Sequence, residues 1–151
     1  MPAEAPEYSI TLTREMNAAA KQVYAAWTEQ ATMERWLDKV FAEIRVGGRY
    51  RFESSAEGGQ THLYTGEYLA LEEERRIVQS FLAGEPDPTA VNPFPNEFIE
   101  IRLRDLGPSR TGVTFINGWD GEAVSEEFLA VVRTAWSEWL DRIEKAVTAG
   151  A

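Results

Sequence analysis

The sequence predicts an α+β fold: a curved antiparallel sheet of about seven strands wrapped around one long C-terminal helix, with two short helices after the first strand. Three observations predict it. Apolar residues recur at helical spacing through the last part of the chain. The middle of the chain alternates with a period of two and is broken by short turn signals. Between the first alternating stretch and the rest lies a segment whose large apolar residues return every three or four positions.

In order, residues 1–7 read as a flexible tail, and 8–148 as a single domain. Tyr8 to Arg14 alternates, with Ile10 and Leu12 on one side and Ser9, Thr11 and Thr13 on the other, which predicts a half-buried strand. Asn17 is placed to cap a helix over 18–28, where Val23, Tyr24 and Trp27 share a face. Thr28 is placed to cap a second helix, Glu29 to Leu37, which presents Met33, Trp36 and Leu37. Strands follow at Phe41–Val46, Arg49–Glu53, Thr61–Leu71, Arg76–Leu82, Glu97–Arg104 and Gly112–Asn117. Glu57-Gly58-Gly59, Glu72–Glu74 and Leu106–Ser109 separate them, and connections this short suit an antiparallel meander. The stretch Ala83–Asn96 holds four of the seven prolines and reads as an irregular loop. A loop this long is often functional, so Phe94 and Phe98 beside it are candidates for a lid or a dimer contact. From Glu122 to Thr148 one wide apolar stripe runs from Val124 through Phe128, Val132, Trp136, Trp139 and Ile143 to Val147. Ser125 or Asp120 is placed to cap that helix.

Gly47-Gly48 invites comparison with a phosphate-binding loop, but a strand follows these glycines, not the helix whose N-terminus such a loop needs. The pair reads as a two-residue hairpin turn, where positive φ favours glycine. Tyr50 and Phe52 then face one way, and Arg49 and Arg51 the other.

Composition narrows the function classes. A formal charge of −10 argues against a nucleic-acid partner and against an anionic membrane surface. The absence of cysteine excludes disulfides, thiolate nucleophiles and cysteine-ligated metals. No apolar run is long enough to span a bilayer, and the acidic, proline-bearing start does not read as a signal peptide, so a cytoplasmic protein is expected. Neither cofactor nor metal is expected.

The sole histidine, His62, lies by alternation on one face with Tyr64, Gly66 and Tyr68. Proton transfer there is weighed against an exposed or structural histidine. Glu67, Glu97, Glu100 and Asp120 read as scattered acids, with Glu100 and Arg102 facing out and pairing across strands. No catalytic set is assigned. The stronger candidate is an apolar pocket between sheet and long helix. Its candidate lining is Tyr50, Phe52, Tyr64, Tyr68, Phe81, Ile101, Phe115, Asn117, Phe128, Val132 and Trp136, with Trp27 and Trp36 closing one end. Asn117 is the notable polar member, because a buried amide must be hydrogen-bonded and a ligand is one source of partners. The competing reading is that these aromatics are simply the core.

Several ordered segments resemble the Hsp90-ATPase-activator-homologue branch of the START-like, helix-grip superfamily. They are A-A-A-K-Q-V-Y-A-A-W-T at 18–28, M-E-R-W-L at 33–37, I-R-V-G-G-R-Y-R-F at 44–52, T-G-E-Y-L-A-L at 65–71 followed by R-R-I-V, and A-W-S-E-W-L-D-R-I at 135–143. Each is weak alone, but the ordered set covers the chain from about residue 8 to 147. The resemblance implies the helix-grip fold with a cavity between sheet and long helix. It implies no common catalytic set, and Hsp90 activation is not carried over, since that role depends on additional regions. Ala135 stands where the family often has glycine.

Binding of a small apolar or aromatic molecule is therefore the leading expectation. The alternatives are a cyclase- or hydrolase-type enzyme using Tyr64, His62 or Asn117, and a chaperone-related interaction module. A homodimer is left open.

Overall fold

The computed structural model describes residues 6–55, 61–84, 89, 92 and 94–148, and all elements below belong to these. Strand β1 (Tyr8–Met16) leads into helices α1 (Ala20–Thr28) and α2 (Gln30–Met33). Strands β2 (Lys39–Ala42), β3 (Arg49–Ser55), β4 (Thr61–Glu72), β5 (Arg76–Ser80), β6 (Leu82–Ala83), β7 (Phe98–Gly107) and β8 (Arg110–Trp119) follow, and helix α3 (Glu126–Thr148) ends the chain. The strands pair antiparallel in the order β1-β8-β7-β5-β4-β3-β2, with β6 added on β4. The first strand thus joins the last, with Ile10 opposite Asn117 and Leu12 opposite Phe115. This is the expected α+β architecture. Its eighth strand arises because the single strand expected over Arg76–Leu82 breaks at Phe81: β5 pairs with β4 and β7, whereas β6 pairs with Tyr64 and Thr65 of β4 alone.

The period of two decides which side chains are inside. Tyr50 and Phe52 of β3, Ile77 and Gln79 of β5, Ile99 and Ile101 of β7, and Val113, Phe115 and Asn117 of β8 are all buried. Helix α3 lies over this face and buries Trp136, Trp139, Leu140, Ile143 and Val147, while α1 adds Val23 and Trp27. At about 1.5 Å per residue, α3 is about 34 Å long, but its apolar stripe is not buried evenly. All its fully buried residues lie from Trp136 onward, whereas Phe128 is 46% and Val131 65% exposed. The first turns of α3 therefore stand off the sheet.

Gly66 permits a close crossing in the sheet. A Cβ there would lie 2.1 Å from the Ser80 carbonyl oxygen and 2.7 Å from the Tyr50 ring. The Tyr50 hydroxyl donates to that same carbonyl at 2.6 Å.

Local details depart from expectation. The β2–β3 connection is not a two-residue hairpin, because β2 ends at Ala42 and β3 begins at Arg49. Gly47 has φ of 85° and its N–H donates to the Tyr68 carbonyl of β4, so the loop folds back onto the neighbouring strand. Asn17 does not cap α1; Ala19 takes that position and its N–H donates to Gln22 Oε1 at 3.2 Å. Thr28 donates back to the Tyr24 carbonyl at 2.8 Å instead of capping α2, whose cap position is Glu29. Ser125 does cap α3, accepting from the Phe128 N–H, while Asp120 accepts from Glu7 N–H and from Asn96 Nδ2. The proline-rich loop falls largely outside the described residues.

Candidate functional site

Where α3 stands off the sheet, a cavity of about 270 Å3 opens, walled by Tyr64, Phe81, Ala83, Phe94, Glu97, Asn117, Trp119, Phe128, Val131, Val132, Ala135, Trp136 and Trp139. Each wall has a local cause. Tyr64 and Phe81 come together because β6 pairs back onto β4, and their rings stack with centroids 5.3 Å apart. Trp136 and Trp139 lie three residues apart, hence on one face of α3, and meet edge to face at 5.0 Å. Phe81 packs edge-on against Trp136 at 5.1 Å. Phe94 reaches the cavity by packing on Trp119.

Two polar groups of the wall, Asn117 and Glu97, are joined. Asn117, 2% exposed, lies opposite Ile99 in the β7–β8 register, close to the start of β7. Its Oδ1 accepts from Trp136 Nε1 at 3.1 Å. Its Nδ2 donates to Glu97 Oε2 at 3.1 Å and to the Phe98 carbonyl at 3.1 Å. An indole N–H only donates, so it holds the amide oxygen toward Trp136 and directs the NH2 group at the carboxylate. Asn117 therefore finds its partners within the protein, and a ligand is not needed to satisfy its amide. Burial pushes the Glu97 carboxyl up to about 7, with the Asn117 hydrogen bond pulling the other way. The site thus couples an aromatic wall to a carboxyl that changes charge near neutral pH.

The structure divides the residues expected at the pocket. Tyr64, Phe81, Asn117, Phe128, Val132 and Trp136 line the cavity. Trp27, Trp36, Tyr50, Phe52, Tyr68, Ile101 and Phe115 lie in the packed core and do not border it. Trp27 and Trp36 close no end of the cavity: their rings pack against each other and against Trp139, and Trp36 Nε1 donates to the Ala26 carbonyl at 2.8 Å. Alternation places a residue on the inner face, but the descent of α3 onto that face decides whether it meets space or another ring. Phe98 turns to the opposite face of the sheet from Ile99 and packs over Gly118.

The candidates for chemistry separate as well. His62 is exposed on β4, opposite Ser54, and does not line the cavity. Glu100 does face away from Ile99 and Ile101 and pairs with arginines, accepting from Arg76 at 2.8 Å and Arg102 at 2.7 Å, but it is buried on that outer face rather than solvated. Glu97, read as one of several scattered acids, is the carboxylate at the cavity. The signal that marks it is parity: it is two residues before inward-facing Ile99.

Comparison with known proteins agrees with this architecture. CV1439 from Chromobacterium violaceum is 25% identical with a TM-score of 0.71, covering 92% of this chain and 96% of that one. CalU16 from Micromonospora echinospora is 21% identical with a TM-score of 0.68, covering 92% and 75%. The Aha1 protein of Colwellia psychrerythraea, whose solution structure is a dimer, is 15% identical with a TM-score of 0.69, covering 93% and 96%. The latter two share the fold. No functionally curated protein matches the sequence significantly. The family model described as Activator of Hsp90 ATPase homolog 1-like protein matches residues 17–148, and the chain belongs to that family.

Proposed function

We propose that this protein binds a small apolar or aromatic molecule in the cavity between the sheet and the first turns of α3. One observation carries the reading: the cavity is walled by the rings of Tyr64, Phe81, Phe94, Trp119, Phe128, Trp136 and Trp139, with the Glu97 carboxyl, the Asn117 amide and the Tyr64 hydroxyl as the few polar groups able to orient a guest. Binding sites for small molecules have this composition, an apolar wall with a few fixed polar groups. Water gains little from so apolar a surface, and a guest of matching shape releases it. Val131 and Phe128 stay exposed at the rim, where a guest would cover them.

The test is native mass spectrometry of freshly purified protein beside the same sample denatured. The expected result is an adduct of small-molecule mass, present only in the native spectrum. Ala135→Trp fills the cavity from a position that is itself exposed, so it should abolish the adduct while the thermal midpoint stays near that of the parent. An adduct that survives this substitution would place the ligand elsewhere.

A further inference from the structure

We infer that the guest of this cavity carries a protonated primary or secondary amine on an apolar, ring-sized body, with Glu97 as its counter-ion; the inference rests on the pocket reading above. Glu97 has no cationic partner among the described residues. Arg14 is engaged with Asp141 and Glu144, and Arg76 and Arg102 with Glu100. Arg142 of α3 lies near Tyr64 and donates to Ser54 at 2.7 Å, but it does not line the cavity. Among the described residues the one side-chain hydrogen bond to the carboxylate comes from Asn117 and reaches Oε2, with no donor on Oε1.

The chemistry of the guest follows by comparing charges. Above about pH 7 a neutral apolar guest would either bury the ionised carboxylate without an opposite charge or force it to take up a proton, and both cost free energy. An anionic guest would meet like charge. A cation answers the carboxylate, and it also meets the negative faces of the surrounding rings. An ammonium with at least one N–H supplies the donor that Oε1 lacks, which a quaternary ammonium does not.

Binding such a cation requires Glu97 to be ionised, and burial holds its carboxyl up at about 7. Among the described residues the titratable and charged groups near it are few. The Tyr50 hydroxyl of β3 and the Tyr64 hydroxyl of β4 are both held protonated by burial, and Arg142 acts on Tyr64. Asn117 of β8 and Trp136 of α3 do not titrate. Affinity for an amine should therefore be level from about pH 7.5 up to the pKa of the amine itself, above which the guest loses its charge, and fall about tenfold per unit well below pH 7.

The experiment is isothermal titration calorimetry on the full chain with 1-naphthylmethylamine and its neutral analogue 1-naphthylmethanol, at about pH 8. The amine should bind at least about tenfold more tightly than the alcohol, as a charge-assisted hydrogen bond requires. Glu97→Gln should erase that preference by weakening the amine at least about tenfold while the alcohol binds as well as to the parent or better, since no charge is then buried beside it. Equal binding of both probes by the parent, or a preference that survives Glu97→Gln, would overturn the amine assignment and leave the pocket reading standing. Binding of neither probe by a folded chain would overturn both.

Discussion

Replacing Glu97 by glutamine should change how stability depends on pH. The carboxyl is pushed from the ordinary value of 4.5 up to about 7 because burial disfavours its charged form. Between these two values the native chain binds more protons at this site than the unfolded chain does. Stability is then fully present below about pH 4.5, falls as pH rises toward 7, and is level above. A shift of this size corresponds to about 3 kcal/mol in full, and to about 1–3 kcal/mol once the incomplete burial of the carboxyl is allowed for. Glutamine keeps an oxygen to accept from Asn117 but cannot ionise, so the variant lacks this slope. For a chain of this size each kcal/mol moves the thermal midpoint by about 2–4 °C. Thermal unfolding of parent and variant should be followed by circular dichroism at about pH 4.5 and about pH 8. The variant should gain several degrees relative to the parent at the higher pH compared with the lower. Contributions from all other groups cancel in that double difference. An equal offset at both pH values would refute the claim that Glu97 is held in a desolvated, charge-disfavouring position.

Three further outcomes test the framework around the site. Glu100 is buried, which alone would raise its pKa, but the hydrogen bonds and charges of Arg102 and Arg76 outweigh burial and hold it below 4.5. Glu100→Gln should therefore destabilise by about 1–3 kcal/mol at neutral pH, with the penalty shrinking as pH falls through the acid range, as urea unfolding at several pH values would read. Gln79 is fully buried and its amide meets no close hydrogen-bond partner among the described residues, with the Tyr50 oxygen, whose pKa it lowers, as the nearest acceptor for its NH2 group. Gln79→Met should raise stability by about 1 kcal/mol in chemical denaturation; a loss would mean that the amide is satisfied by buried water. Gly66→Ala places a methyl 2.1 Å from a backbone oxygen. It should cost at least about 3 kcal/mol, measured as a lowered urea midpoint, because backbone cannot yield as a side chain can.

The structure also redirects one obvious substitution. Trp136 is both a wall of the cavity and the donor that orients Asn117, and its ring packs on Phe115 at 4.7 Å. Truncating it would lower stability and binding together, and so would not separate a binding protein from an interaction module. Ala135 and Glu97 are better probes, because neither carries the core.

Much of the fold was legible because its signals are local. Period two across β3, β7 and β8 marked Tyr50, Phe52, Ile99, Ile101 and Phe115 as inward, and all are buried. The long apolar stripe marked α3. Capping was less legible: Asn17 and Thr28 have the right side chains, but the chain turns into α1 and α2 two residues and one residue later, respectively. The polar site was legible only in fragments. Parity put Asn117 inside, and the same parity applied to Glu97, two residues before Ile99. Nothing local relates those two to each other or to Trp136.

What the sequence alone determined is the order of elements, the face each strand turns inward and the aromatic character of the interior, because these depend on repeats within a few residues. Tertiary structure decided the rest. The height of α3 over the sheet separates cavity from core, leaving Phe128 and Val132 beside open space while Trp27 and Phe115 are enclosed. The β7–β8 register brings Asn117 to Glu97 across 20 residues of chain, and the docking of α3 brings Trp136 to Asn117 across 19. A hydrogen bond acts over about 3 Å, so no pattern of neighbours in the chain specifies which distant groups will stand within that reach; only the packed sheet and helix do.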